Sequence, residues 1–173
     1  MKLFNKQSEL NEGNISFYAH IGLISIRFAE LESLITHIIE RLINSDNDIV
    51  SSTLIENNNL STNLQLLKKI NRCRRYEEEK ISETILKINQ LRDMRNFFIH
   101  GVWSDVKIDE EGTYVQCSNH KHIYEKNSSG QLWTRYHSEQ FRLKDFQEEI
   151  KKIDAVLVIL KELWEDLEEE DFL

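Results

Sequence analysis

At 173 residues, with 40% hydrophobic and 30% charged residues, the chain has the composition of one ordinary soluble domain that buries a real core. No uninterrupted apolar run reaches the roughly 18 residues that a membrane span needs, and the N-terminal stretch MKLFNKQSELNEGN lacks the apolar core of a signal peptide. The net charge of −8 argues against wholesale binding to duplex nucleic acid, but leaves room for a small basic pocket. We therefore expect a cytoplasmic protein without a membrane partner.

Cysteine usage and the scarcity of loop-forming residues bear on compartment and domain count. Cys73 and Cys117 show neither a CxxC spacing nor obvious histidine partners, so free thiols are expected, with neither a disulfide nor a zinc site. The chain has no proline and few glycines, and no low-complexity tract interrupts it. We expect one domain spanning residues 1–173.

Three amphipathic helices are predicted before Gly101. The first covers residues 14–44, because apolar residues recur there in alternating steps of four and three, and the turn formers at 44–48 should end it. Residues 49–60 are ambiguous. A second helix should begin at the N-cap Ser61 and end near Arg75, and a third should run over about 78–100. The stripes of the first and third helices are Phe17, Ile21, Ile24, Phe28, Leu31, Ile35, Ile38 and Leu42, and Ile81, Ile85, Ile88, Leu91 (or Met94) and Phe98.

After the third helix the hydrophobic period changes to the alternation of strands. Residues 106–108 and 114–117 alternate around Asp109-Glu110-Glu111-Gly112, which predicts a hairpin. Two more strands are predicted at 122–124 and 132–136, around a turn at 127–130, and a last amphipathic helix follows at about 143–167. The sequence thus predicts a mainly α fold, a four-helix bundle with a small β excursion at about 104–140 between helices three and four.

The segment LRDMRNFFIHGVW concentrates the chemistry of the chain. Helical spacing puts Arg92, Asn96 and His100 on one stripe, so that Asn96 could fix the tautomer of His100. Arg95 lies roughly 140° around the helix from His100, so the two converge only if the arginine reaches across or the helix unwinds near Gly101. A fixed cation and an imidazole can bind a phosphate and move protons around it without a metal.

Residues 95–100 form an R-x4-H motif in which an asparagine directly follows the arginine. With this motif the chain resembles the HEPN superfamily, whose all-helical domains carry an arginine and a histidine at such a spacing. The resemblance extends to the order of elements, with a long first helix, a second after an Asn-rich loop, the motif at the end of the third and a closing amphipathic helix. Two features depart from it: Val102 stands where some family toxins carry a modified tyrosine, and the β excursion is additional to a minimal bundle.

The resemblance implies a metal-independent endoribonuclease, acting as a toxin or antiphage effector without a cofactor. It implies that Arg95 binds or polarises the scissile phosphate of RNA and that His100 is the general base or acid. Asn96 would orient His100 or contact the phosphate, and Arg92 is the first residue to add to that phosphate site. Family members typically dimerise so that two motifs line one cleft, which implies a homodimer with two histidines, an acid and a base.

Alternatives stay open at the level of sequence. Some family members have lost activity, so the chain could be a non-catalytic HEPN-like module that binds a partner protein or nucleic acid. The chain could also have an antitoxin or a regulatory protein as its partner. It could itself be a regulatory protein, an interpretation that the acidic residues at 162–171 favour. Arg95, Asn96 and His100 could also lie on a helix face without function, because a histidine is favourable near a helix C-terminus.

Three further groups of residues carry both a structural and a functional interpretation. The basic stretch at 68–75 is either a solvated helix face or a surface that guides RNA. The two histidines at 120–122 resemble metal ligands, but no Cys, Asp or Glu stands at ligand spacing. Trp133, Tyr136 and His137 could stack unpaired bases, although such aromatics more often pack a hairpin against a bundle.

Overall fold

The computed structural model of the chain describes residues 12–43, 48–124 and 132–169, with side chains for 14–43, 49–119 and 137–169. Within these ranges the protein is mainly helical, with a small antiparallel sheet of four strands. The helices are α1 (Glu12–Ile43), α2 (Asp48–Ile55), α3 (Leu60–Arg74), α4 (Glu78–His100) and α5 (Leu143–Glu169). The strands are β1 (Val102–Trp103), β2 (Lys107–Asp109), β3 (Gly112–Tyr124) and β4 (Leu132–Phe141). No helix in this part of the chain has the length and apolarity to cross a membrane.

The mainly α class and the β segment between the last two helices agree with the prediction, but the helix count does not. The described chain has five helices where four were predicted, and the additional one, α2, lies in the region that the sequence left ambiguous. With about two turns, α2 is too short to show a clear period: Ser51 and Ile55 are buried, whereas Ile49 is exposed. The residues at 44–47 that were predicted to end the first helix lie outside the described residues.

The N-cap of α3 also differs from the prediction. The side chain of Asn59, not of Ser61, caps this helix, with its Oδ1 accepting from the backbone N–H of Thr62 at 3.0 Å. Both residue types favour this position, and the first turn begins at Leu60, so the asparagine directly before it is the residue that reaches the unpaired N–H groups.

The chain divides into two compact units, and the division falls within α1, α4 and α5. The first unit comprises residues 1–25 and 93–149, and the second comprises residues 26–92 and 150–173.

In the second unit the predicted apolar stripes form a buried core. The sequence left open whether Leu91 or Met94 continues the apolar stripe of the third helix. Leu91 is buried, whereas Met94, just beyond this unit, is only half-buried, so Leu91 continues the stripe. The guanidinium of Arg74 donates to the carbonyls of Leu42 and Ile43 and so satisfies the C-terminal end of α1. The buried residues from the predicted stripes are Phe28, Leu31, Ile35, Ile38, Leu42, Leu64, Leu67, Ile81, Ile85, Ile88, Leu91, Ile153, Leu157, Leu160 and Leu167.

In the first unit β3 is the central strand and pairs antiparallel with β1, β2 and β4. The hairpin predicted from Asp109-Glu110-Glu111-Gly112 is confirmed, with Asp109 opposite Gly112. The predicted strands at 114–117 and 122–124 are parts of one continuous β3, and β4 continues beyond the predicted end at Tyr136. The turn predicted at 127–130 lies outside the described residues.

An aromatic cluster fills the first unit and explains why the sheet is held against the helices there. The rings of Phe98, Trp103, Phe141 and Phe146 lie 5.0–5.9 Å apart, centroid to centroid, and the ring of Phe17 is 5.8 Å from that of Phe146. Aromatic pairs at these separations stabilise a core beyond the area that they bury. One cluster therefore joins the end of α4, strand β1, the end of β4 and the start of α5.

Ion pairs from Arg142 join the β2–β3 hairpin to the start of α5. The guanidinium of Arg142 donates to both carboxylate oxygens of Asp109, at 2.7 and 2.9 Å, and pairs with Glu111 at 3.1 Å. The hydrogen bond from Arg142 is the main cause that lowers the pKa of Asp109 below its ordinary value. Asp145 accepts from the backbone N–H of Arg142 at 2.7 Å.

Candidate functional site

The candidate site is the C-terminal end of α4, in the first unit, which carries Arg95, Asn96 and His100. The helix continues to His100 without unwinding, and the N–H of Gly101 still donates to the carbonyl of Phe97 at 3.0 Å. Arg95 and Asn96 are half-buried, whereas His100 is exposed. The end of the helix therefore presents an imidazole to solvent one turn beyond a partly enclosed cation and amide.

The arginine and the asparagine of the motif are in direct contact. Nη1 of Arg95 donates to Oδ1 of Asn96 at 3.2 Å, and Asn96 lies on the stripe of α4 that ends in His100. This contact joins neighbouring residues of the helix, so the convergence of Arg95 with His100 stays a prediction. Among the described residues, no hydrogen bond joins the Asn96 amide to the His100 ring, so the role of Asn96 in orienting His100 stays a prediction.

Arg92 is half-buried and lies at the end of the part of α4 that belongs to the second unit. Its predicted contact with the phosphate rests on helical spacing alone.

Close packing against the central strand fixes the end of α4. The carbonyl of Phe97 accepts from the Gly101 N–H and, at 3.6 Å, from Sγ of Cys117, and the indole N–H of Trp103 donates to the carbonyl of Phe98 at 2.9 Å. A Cβ at position 101 would overlap Sγ of Cys117 and lie 2.6 Å from the Phe97 carbonyl oxygen. The glycine that the sequence suggests as a helix stop is thus required by the close approach of β3.

The thiol beneath this helix end is not a nucleophile at neutral pH. Burial, with the Glu139 carboxylate as the second cause, raises the pKa of Cys117 to about 11. Cys73 is exposed on α3, and both cysteines are free, as the sequence predicted.

Sequence reasoning missed a histidine–carboxylate pair that the fold brings to the motif. The ring of His137 lies edge-on to Phe97, with centroids 5.3 Å apart, and its Nε2 is 2.6 Å from Oε1 of Glu139. His137 therefore packs against a helix, as predicted for the aromatics of this segment. The signal in the sequence was the His-x-Glu spacing, which on a strand puts both side chains on one face, but the predicted strand stopped at Tyr136.

The other candidate groups have mixed outcomes. Among the described residues, no three His, Cys, Asp or Glu side chains come together as a metal site. The side chains of the histidines at 120–122, and those of Trp133 and Tyr136, lie outside the described residues. On α3 the side chains of Lys68, Lys69, Arg72 and Arg75 are exposed, whereas Arg74 is used to satisfy the end of α1.

Comparison with known proteins gives no family. No protein-family model, no curated protein and no solved structure matches this chain. The resemblance to the HEPN superfamily stays a prediction from residues 95–100 and the order of the helices.

Proposed function

We propose that the protein is a metal-independent endoribonuclease of the HEPN type that acts in the cytoplasm as a toxin or antiphage effector. The observation that supports this most directly is the contact of the Arg95 guanidinium with Asn96, on the stripe of α4 that ends in the exposed His100. The cation and the imidazole stand at one end of a helix whose last turn is held to the sheet by two contacts, from Cys117 to the carbonyl of Phe97 and from Trp103 to the carbonyl of Phe98. A site held in this way is preorganised, as charge stabilisation in a transition state requires.

In the proposed reaction, the guanidinium of Arg95 holds the scissile phosphate and balances the charge that develops on its oxygens. The imidazole of His100 exchanges a proton with the ribose 2′-OH or with the leaving 5′-oxygen. The 2′-oxygen attacks phosphorus, the bond to the 5′-oxygen breaks, and the products are a 2′,3′-cyclic phosphate and a free 5′-hydroxyl. The residues named need no metal for either proton transfer.

A homodimer is part of this proposal, and an apolar face of α1 in the first unit supports it. Ile15, Tyr18 and Leu23 are 50%, 44% and 36% exposed, and the small residues Ala19 and Gly22 between them are exposed as well. These positions fall on one side of the helix, where large apolar side chains would normally be covered. We expect Tyr18→Glu to shift the chain toward monomer in sedimentation equilibrium, with Val158→Glu, at an exposed apolar position on α5, as the control.

The second unit offers a surface suited to the phosphates of an RNA substrate, despite the acidic average of the chain. No acidic residue occurs from Leu60 to Arg75, and no carboxylate of the described residues forms an ion pair with Lys68, Lys69 or Arg72. Exposed, unneutralised cations on one helix bind a phosphate backbone without reading its sequence.

Cleavage of single-stranded and transfer RNA in the presence of EDTA tests the proposal. We expect the wild-type protein to leave 2′,3′-cyclic phosphate ends, and His100→Ala and Arg95→Ala to reduce the rate by about 10²–10⁴-fold. His37→Ala, an exposed histidine of the second unit, is the matched control and should cut at the wild-type rate. RNA binding without cleavage would instead identify the non-catalytic module. If the protein neither binds nor cleaves RNA, an RNA substrate is refuted.

A further inference from the structure

Strand register brings a second imidazole to the end of α4 within the same unit. Asn119 pairs with His137 and Cys117 pairs with Glu139. Directly opposed residues of antiparallel strands project from the same face, so His137 and Glu139 share the face of the sheet that bears Cys117. Cys117 contacts the carbonyl of Phe97, and the ring of His137 contacts the Phe97 ring. This face of the sheet is therefore the one that meets the helix end.

The Glu139 carboxylate fixes how the His137 ring is used. Nε2 of His137 lies 2.6 Å from Oε1 of Glu139, and an ionised carboxylate only accepts hydrogen bonds, so Nε2 donates. The remaining nitrogen, Nδ1, is then the atom that can take up or release a proton. The His137 side chain is 60% exposed, so a substrate can reach it.

Phe97 relates the two imidazoles to each other. It lies three positions before His100 on α4, which places the Cβ atoms of Phe97 and His100 about 5–6 Å apart. The ring of His137 lies 5.3 Å from that of Phe97, so the strand-borne imidazole contacts the same last turn of α4 that carries His100.

We propose that His137, oriented by Glu139, is a second acid–base group of the site that acts with His100; this rests on the proposed function. One imidazole nitrogen accepts the proton of the 2′-OH while the 2′-oxygen forms a bond to phosphorus. The bond between phosphorus and the 5′-oxygen breaks, and the other imidazolium gives its proton to that oxygen. The two rings finish with exchanged protonation states, which solvent resets.

A change of leaving group tests this assignment. The substrates are an RNA oligonucleotide that the wild-type protein cuts, and the same oligonucleotide with sulfur replacing the 5′-oxygen of the cleaved bond. A thiolate leaves without being protonated, so loss of the general acid no longer slows the reaction. His137→Ala and His137→Asn should cut the normal oligonucleotide about 10²-fold or more slowly, with a melting temperature near that of wild type because the side chain is mostly exposed. One of the two histidines is the general acid. The variant that lacks this histidine should cut the sulfur oligonucleotide at a rate within tenfold of wild type, whereas the variant that lacks the other histidine should remain slow.

The results that overturn the assignment are distinct from failure of the proposed function. If His137→Ala cuts the normal oligonucleotide within threefold of wild type while His100→Ala does not, the second group lies elsewhere. If the losses for both histidines are the same with oxygen and sulfur leaving groups, the two do not form an acid–base pair. Glu139→Gln should show a smaller loss with the same dependence on the leaving group as His137→Ala. A wild-type protein that cuts no RNA would refute the proposed function itself.

Discussion

Replacing Gly101 by alanine tests the packing that holds the candidate site. The added methyl would overlap Sγ of Cys117 and stand 2.6 Å from the carbonyl oxygen of Phe97. Neither neighbour can move alone, since Cys117 is fully buried on the central strand and the carbonyl belongs to the helix backbone. Relief requires the helix end and β3 to separate, and overpacking of this kind costs about 1–3 kcal/mol. For a chain of this size that corresponds to a fall in melting temperature of roughly 2–12 °C.

Urea denaturation of a double-mutant cycle measures the effect. Gly101→Ala should destabilise, and in the Cys117→Ala background it should cost at least about 1 kcal/mol less, because the overlapping sulfur is gone. Ser82→Ala, at an exposed position of α4 away from the sheet, is the control and should leave stability within about 0.5 kcal/mol of wild type. If Gly101→Ala is as stable as wild type, or if its cost is unchanged by Cys117→Ala, the close approach of β3 to the helix end is refuted.

Three further outcomes follow from other parts of the structure. In the folded protein a thiol reagent should modify Cys73 rapidly at neutral pH and leave Cys117 unreacted until the protein unfolds, because burial raises the pKa of Cys117 to about 11; mass spectrometry of the labelled protein locates the modification. Folding lowers the pKa of Asp109, so the stabilisation from Arg142 is present above the ordinary pKa of 3.8 and is lost as the pH falls through the lower pKa of the folded state. Asp109→Asn should therefore lower the urea midpoint at neutral pH and have no effect in strong acid. Neutralising Lys68 and Arg72 with glutamine should weaken RNA binding and reduce the slope of log affinity against log salt by about 1.4, since each phosphate contact with a single strand contributes about 0.7; an unchanged slope would exclude this face.

Local patterns were sufficient for most of the helices and for one hairpin. A stripe such as Phe28, Leu31 and Ile35 is visible in the sequence because a helix repeats every few residues, and the turn formers before Gly112 specify a hairpin within a few positions. The motif residues Arg95 and His100 could likewise be placed at the end of a helix from the sequence alone. What the sequence missed locally was α2, because about two turns are too few to show a period.

Contacts between distant segments were decided only by the tertiary structure. The contact of His137 with Phe97 depends on the register of β4 against β3 and on the packing of that sheet on α4, and no local pattern encodes either. The role of Gly101 is of the same kind, since its lack of a side chain matters only once Cys117 is brought beneath it. The sequence by itself determined that Arg95, Asn96 and His100 stand at the end of a helix. Only packing between distant segments determined that His137 contacts this helix end, because side-chain proximity across a sheet is set by register rather than by spacing along the chain.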